Sequence, residues 1–369
     1  MAIRVLHIVT YMGRGGLETM LMNYYRNIDR NKIQFDFLVH RKERADYDDE
    51  IEAMGGRIYR ISRLNPFRIS YRKELKHFFE EHKEYRMIHV HQDCLSSVAL
   101  KVGKQCGIPI RIAHSHNASQ DKNLKYLIKM FYKQSIAKYA THLLACSKEA
   151  GQWMFGGADF QILNNAIDAE KYTYNENVRK QLRDEMGILP NELVVGHVGR
   201  FFYQKNHEFL IDIFEALTKK VSCKLLLVGD GELRTKIEDR VQAKNLEDRV
   251  IFTGIREDVA NLMQAMDVFV FPSYYEGLPV TLVEAQAAGL PCLISDHISS
   301  DCKKTELIHQ MSLSVSTEIW ADKILKLSKL SRKNTCEEIR SAGFDIKENA
   351  TSLQEYYFSL NTGEKECQL

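Results

Sequence analysis

Short apolar runs alternate with longer stretches whose apolar residues recur every three or four positions, and the alternation spans nearly the whole chain. In the first half the runs read "RVLHIVTY", "FDFLVH", "GRIYRI", "MIHVH", "PIRIAHSH" and "HLLACS", each followed by a stretch with helical spacing. Runs of this length, rich in β-branched residues, suit strands buried on both faces. Their alternation with helices predicts parallel sheets joined by crossover helices. After "ILNNAID" at 162–168 the polar stretch "AEKYTYNENVRKQLRDEMGILPNE" breaks the rhythm. It restarts at "LVVGHVGR" and continues through "CKLLLVGDG", "RVIFTG", "DVFVFP" and "PCLISD". The pattern predicts two doubly wound α/β domains, 1–170 and 171–345. A last helix-like segment within 345–369 could pack on either domain, completing the first or the second. Ligands of open α/β sheets bind outside the carboxyl ends of the strands, so the chemistry is expected on loops that follow strands.

Length and composition agree with this reading. A chain of 369 residues is long for one core, since domains run to about 100–200 residues each. The longest apolar runs fall far short of the roughly 20 residues of a membrane span. The N-terminal "MAIRVLHIVTYMG" has no small-residue cleavage site and reads as a first strand, so a cytoplasmic location is expected. Eight cysteines contain no C-x-x-C pair and read as reduced, mostly buried hydrophobes. Net charge is +2, but residues 1–170 carry +7 and the remainder −5. The small overall charge implies no polyanionic partner, so no nucleic-acid partner is expected. The asymmetry does single out 57–86 and 122–148, where Lys and Arg mix with aromatic and aliphatic residues and Lys125, Lys129 and Lys133 recur every four positions. Such a helix could lie on an anionic membrane surface, or it could be a solvated helix face over the core.

Four loops carry candidate chemistry. "YMGRGGLETML" lets the backbone of Gly15 and Gly16 approach a phosphate at a helix N-terminus, although a tight structural turn explains the glycines equally well. It is neither a dinucleotide fingerprint nor a P-loop. In "GRFFYQKNHEFLI", Arg200 and Lys205 follow a strand with no acidic residue before Glu208, so they read as two unpaired cations suited to a diphosphate. Each would gain about 4 kcal/mol of gross Coulomb energy at 4 Å and an effective dielectric near 20, before desolvation is subtracted. In "FPSYYEGLPVTLVEAQAAGLP", Glu276 precedes Gly277 and Leu278, whose N–H groups are free for a phosphate, and Glu284 follows eight residues later. Eight residues are close to two helical turns, so both carboxylates are expected to face one cleft and accept hydrogen bonds from polyol hydroxyls. "VGDGE" repeats the strand, glycine turn and helix arrangement. The D-x-D at 46–48 follows the polar "RKERA" rather than a buried strand end, and no metal ligands are assigned.

Taken in order, "GGLE", "HSHN", "NNAID", "GRFFYQKN", "VGDGE" and the E-x7-E stretch resemble glycosyltransferase family 4, and the resemblance covers essentially the whole chain. Bacterial capsular and exopolysaccharide glycosyltransferases are the most similar in kind. The resemblance implies a GT-B fold, two Rossmann-like domains facing a central cleft, and retaining transfer from a nucleotide-sugar, by family habit UDP-linked, without metal or other cofactor. Glu284 would hold the ribose and Glu276 the donor sugar's hydroxyls. Arg200 and Lys205 would clamp the diphosphate, helped by the backbone of Gly15, Gly16, Gly277 and Leu278. His116 would lie near sugar and acceptor, and the backbone at Arg256 would read the base. Implied partners are a nucleotide-sugar donor, a saccharide or polyprenyl-linked acceptor, and the inner face of the plasma membrane. Relatives often carry glycine where this chain has Asn206 and Ala166. Two other classes stay open: a GT-B nucleotide-sugar epimerase, which product analysis without acceptor would reveal, and a non-catalytic partner in polysaccharide assembly.

Overall fold

The computed structural model describes residues 2–117, 126–363 and 369. Two compact units divide the chain: Met1–Ala166 with Asp345–Leu369, and Ile167–Phe344. In the first unit the described strands are β1 (Ile3–Ile8), β2 (Ile33–Val39), β3 (Ile58–Arg60), β4 (Met87–Val90), β5 (Ile110–Ser115), β6 (His142–Ala145) and β7 (Gln161–Ile162). They form a sheet in the order β3-β2-β1-β4-β5-β6-β7, and these described strands pair in parallel throughout. All seven residues of β2 are buried, including the polar Gln34 and Asp36.

Of these, Gln34 accepts from the Tyr25 hydroxyl at 2.6 Å, and Asp36 is fully buried and answered by a forked pair of bonds from Arg4 and a hydroxyl from Tyr85 at 2.6 Å. A buried charge that is both paired and hydrogen-bonded does not carry the full desolvation penalty. The last helix, Ile346–Thr362, starts where the Asp345 carboxylate accepts from the backbone N–H of Lys347 and Glu348. It returns to the first unit, packs against helix Gly16–Asn27, and buries Tyr356 and Tyr357.

The second unit contains β8 (Leu193–Val198), β9 (Cys223–Val228), β10 (Val250–Phe252), β11 (Val268–Phe271), β12 (Cys292–Ser295) and β13 (Ile308–Met311). Its order, β10-β9-β8-β11-β12-β13, reverses direction at β8, so the loops after β8 and β11 flank a topological switch point. The α/β class read from the pattern is therefore the observed one. Two strands escaped that reading: β7 spans only two residues, and β13 carries the polar His309 and Gln310.

The described cysteines are free thiols and, except for half-buried Cys106, buried; Cys367 lies outside the described residues. Among the described residues no helix is long and apolar enough to cross a membrane.

Candidate active site

In the second unit the loops at the strand ends are sewn together through their backbones. Gly199 N–H donates to Val228 C=O at 2.9 Å, Phe201 N–H to Asp230 C=O at 3.0 Å, and Gly229 N–H to Gly254 C=O at 2.9 Å. Gly229 has φ +133°, and a Cβ there would fall 2.2 Å from the Gly199 carbonyl oxygen. The two loops can touch only because that position lacks a side chain.

The loop after β8 is fastened to the loop after β11 as well. Tyr274 N–H donates to Gln204 C=O at 2.9 Å, Gln204 Nε2 to Tyr275 C=O at 2.8 Å, and Asn206 Nδ2 to Pro272 C=O at 3.1 Å. Asn206 adopts the left-handed conformation, φ 53° and ψ 46°. That is the physical sense of its standing where relatives carry glycine, since asparagine tolerates this region better than other side chains and here adds a bond of its own.

This fastening brings Lys205 to Glu276, Nζ to Oε1 at 2.8 Å, with side chains only 17% and 8% exposed. Lys205 Nζ also lies 4.5 Å from the centre of the Phe271 ring. The expectation of two unpaired cations is thus corrected. Lys205 is paired by an acid 71 positions away, which adjacency in sequence could not reveal. Arg200 is exposed on the same loop, its guanidinium 5.6 Å from the centre of the Phe202 ring.

A second correction concerns the spacing of the two glutamates. Helix Val280–Ala287 begins after Pro279, so Glu276 lies in the loop and helical periodicity cannot relate it to Glu284. Gly277 and Leu278 are in the loop that leads into this helix. Glu284, within the helix, accepts from the Tyr172 hydroxyl at 2.7 Å. Burial pushes the Glu284 carboxyl above its ordinary range, opposed by the Tyr172 bond and the charge of Lys171. Tyr172 was missed in the sequence because it sits in the polar stretch between the two rhythms. Arg256 is exposed and makes a forked pair with Asp258, at 2.7 Å for each arm.

The remaining expected residues belong to the first unit. Gly15 caps helix Gly16–Asn27, and the Glu18 carboxylate folds back so far that a Cβ on Gly15 would lie 2.2 Å from its Oε2. A carboxylate of the chain itself therefore stands beside Gly15, at the helix start where a phosphate was expected, and burial pushes its proton affinity up. Around Gly16 the space is open.

His116, just beyond β5, is partly exposed as a residue, yet its Nε2 lies 2.9 Å from His91 Nδ1 and its Nδ1 is buried without a partner. Burial holds its pKa at about 3, so the ring is neutral. One ring nitrogen is thus engaged by His91 and the other is buried within the first unit. Beside it, Thr10, His40, Arg41, Arg63, His91 and Asp93 help line a cavity of about 460 Å³.

Of the two basic segments, 122–125 lies outside the described residues. Helix Tyr126–Lys133 buries none of its side chains. Leu127 and Phe131 are 78% and 72% exposed, and Phe67 and Ile69 from the other segment 67% and 70%. The two segments meet: the Tyr132 hydroxyl donates to Pro66 C=O at 3.1 Å, and the rings of Phe67 and Tyr132 are 6.3 Å apart.

Comparison with known proteins identifies the family of the chain. Residues 14–171 match the model of Glycosyltransferase Family 4, and residues 178–338 that of Glycosyl transferases group 1. EpsF of Bacillus subtilis (strain 168), named as a glycosyltransferase, is 36% identical over 96% of this chain and 96% of its own. The UDP-Gal:alpha-D-GlcNAc-diphosphoundecaprenol alpha-1,3-galactosyltransferase of Escherichia coli is 24% identical over 79% of this chain and 81% of its own. Among solved structures, Anabaena HepE in complex with UDP and glucose aligns with TM-score 0.76 at 18% identity, covering 97% of this chain and 100% of that one. At that identity the likeness shows a shared fold.

Proposed function

The chain belongs to the family 4, group 1 glycosyltransferases of GT-B fold, and from that premise we propose that it transfers a sugar from a UDP-sugar to a lipid-linked saccharide in bacterial surface polysaccharide synthesis, retaining anomeric configuration and needing no metal at the diphosphate. The observation that carries this reading is the Lys205–Glu276 pair, held nearly dry by loops fastened along their backbones. In a site with little water a fixed charge acts on a developing charge without first reorganising solvent. Lys205 and the exposed Arg200 would take up charge as the diphosphate departs, and Glu276, released from its lysine, would accept hydrogen bonds from sugar hydroxyls. Glu284, poised by Tyr172, would accept the ribose diol. The departing diphosphate oxygen can take the acceptor proton on the same face of the sugar. No strong protein base is then needed, which accords with the inward nitrogens of His116; we assign that residue to shaping the strand end. The Arg256 backbone would read the base. Gly277, Leu278, Gly15 and Gly16 would offer amides to phosphate, the last two only after Glu18 swings away.

The acceptor side of the proposal rests on two features of the first unit. Arg41 and Arg63 beside the 460 Å³ cavity suit a diphosphate linkage, the group named in the acceptor of the Escherichia coli relative. The exposed Phe67, Ile69, Leu127 and Phe131, set among lysines and arginines, suit the surface of an anionic membrane in which such an acceptor resides. A cytoplasmic protein touching the inner face of the plasma membrane is the location that follows.

The test is a panel of nucleotide-sugars scored by thermal shift, then a transfer assay with the best ligand in buffer without added Mg²⁺ or Mn²⁺, and product configuration read by NMR. A UDP-sugar should stabilise the protein and an α-linked donor should give an α-linked product. Inversion at the anomeric carbon, or sugar turnover without any acceptor, would replace this reading with an inverting or epimerising one.

A further inference from the structure

Five imidazoles stand together on one face of the first unit's sheet. His7 comes from β1, His89 from β4 with His91 just after it, and His114 from β5 with His116 just after it. Each H-x-H spacing places its two rings on the same face of a strand. Ring centres lie 4.2 Å apart for His89 and His91, 4.0 Å for His114 and His116, and 5.3 Å for His91 and His114.

Their hydrogen bonds leave much unanswered. His7 Nδ1 lies 3.1 Å from His91 Nε2, His91 Nδ1 lies 2.9 Å from His116 Nε2, and His89 Nδ1 lies 2.7 Å from the Tyr357 hydroxyl. Buried and without a hydrogen-bond partner are His7 Nε2, His89 Nε2, both nitrogens of His114, and His116 Nδ1. A neutral imidazole carries one N–H. If the His7–His91–His116 chain donates toward His7, the orphaned N–H is His7 Nε2; if it donates toward His116, the orphan is His116 Nδ1. Either way one buried donor is stranded, and His114 adds another whichever tautomer it takes. Each such group costs about 1–3 kcal/mol.

We propose that His91, His114 and His116 bind one borderline d-block dication, of the Zn²⁺ class, and that His7 holds His91 in the ligating tautomer. A cation would take the His114 lone pair that no donor reaches, and would replace the His91–His116 hydrogen bond once the His116 proton moves to Nδ1. One ring nitrogen from each of the three residues already lies within 4.8 Å of the others. Metal–nitrogen bonds of about 2.0–2.1 Å in a tetrahedral site set the nitrogens about 3.3 Å apart, which small ring rotations supply. With His91 Nε2–H donating to His7 Nδ1, the His91 Nδ1 lone pair faces the His116 ring, the arrangement by which an outer group fixes a ligand's tautomer. Burial keeps all three rings neutral, the state in which imidazole ligates. His7, His89 and His91 also lie within 4.8 Å of one another, but all three are buried. The chosen trio has access of its own through His116, which is partly exposed. An ion here would tie together the ends of β4 and β5, whose following loops are already joined by Asn117 Nδ2 donating to Asp93 Oδ1 at 2.9 Å. The site is built entirely from the first unit's sheet and stands whether or not the transfer reading does.

The test uses the full chain, stripped with a chelator, reloaded with Zn²⁺ or Co²⁺, and dialysed. The wild type should retain about one ion per chain by elemental analysis, and X-ray absorption should show three imidazole nitrogens at about 2.0 Å. His114→Phe, which keeps a ring in the core, should weaken retention at least a hundredfold. His7→Phe should weaken it about 10–100-fold, as loss of an outer-shell partner does. His77→Ala, at an exposed site elsewhere, should leave it unchanged. A wild type that keeps no ion, a spectrum with fewer than three imidazoles, or equal loss in His77→Ala would each overturn the proposal. The first two need no variant to fold.

Discussion

The strand ends of the two units are built to the same plan and hold opposite chemistry. In the second unit, loops after β8, β9, β10 and β11 are bonded through backbone amides; on them Lys205 is partnered by Glu276 and Arg256 by Asp258 while Arg200 is exposed, and on the helix that follows β11 Glu284 accepts from Tyr172. In the first unit the strand ends carry neutral imidazoles packed ring against ring, a cavity edged by arginines, and an exposed apolar patch. Charge fixed in advance suits a ligand that leaves as an anion. Neutral donors and apolar surface suit binding and positioning. The same sheet topology thus serves both purposes, because the side chains at the strand ends and in the segments that follow them decide the chemistry.

The strongest way to break the comparison is to remove one member of the dry pair. Lys205→Ala and Glu276→Ala should each lower kcat by about 10²–10³, the usual cost of losing one fixed charge-stabilising group. The double variant should lose less than the product of the two, since each single change strands a buried charge. Steady-state transfer kinetics on the three variants decide this, and additive losses would mean that the pair has no functional coupling. The same matrix of loops predicts that Gly229→Ala costs several kcal/mol, because its Cβ meets the Gly199 carbonyl at 2.2 Å. Chemical denaturation followed by fluorescence would show it, and a change within 0.5 kcal/mol would count against loop contact as the organising feature.

Donor affinity comes next. Tyr172→Phe should weaken UDP-sugar binding about tenfold and Glu284→Gln about 10–100-fold by calorimetry, in line with hydrogen bonds to a charged group. In the first unit, Leu127→Ser with Phe131→Ser should reduce flotation with anionic vesicles several-fold while leaving solution transfer to a short soluble acceptor unchanged. Unaltered flotation would remove the membrane contact.

The smallest effects are in the pH dependence of stability, and they differ in sign. Glu284's folded pKa is raised, so the native state binds more protons than the unfolded one above the carboxylate's ordinary 4.5, and its contribution to stability falls as pH rises through that region. Glu284→Gln should therefore melt higher than wild type at pH 7, with the gap closing toward pH 4.5. His197 and His207 are buried and depressed to about 4 and about 2, so the unfolded chain binds protons first, and stability falls as pH drops below 6.5. His207→Phe should lessen that acid loss by about 1 kcal/mol one pH unit below 6.5. Melting curves across this range check both signs.

Much of the fold was legible because it is written locally. Strands buried on both faces must be apolar at nearly every position, and the helices between them must repeat every three or four residues. The strand, helix and glycine-turn order therefore fixed the α/β class. β7 and β13 were not legible because one is too short and the other too polar to leave that trace.

The candidate site was legible as a set of residue types on strand-end loops, but not as contacts. Sequence placed Lys205, Glu276 and Glu284 on the right loops and helix; it could not say that Lys205 is already paired, that Tyr172 supports Glu284, or that Glu18 folds over Gly15. The histidine cluster left a visible sign, "HVH" and "HSH" beside "LHI", whose meaning depends on which strands become neighbours. By itself the chain determined periodicity, turn chemistry and the kinds of groups available. Only the tertiary structure decided which of them touch, because partners 71 or 112 residues apart are brought together by sheet order and by loops bonded across strands, neither of which any local window contains.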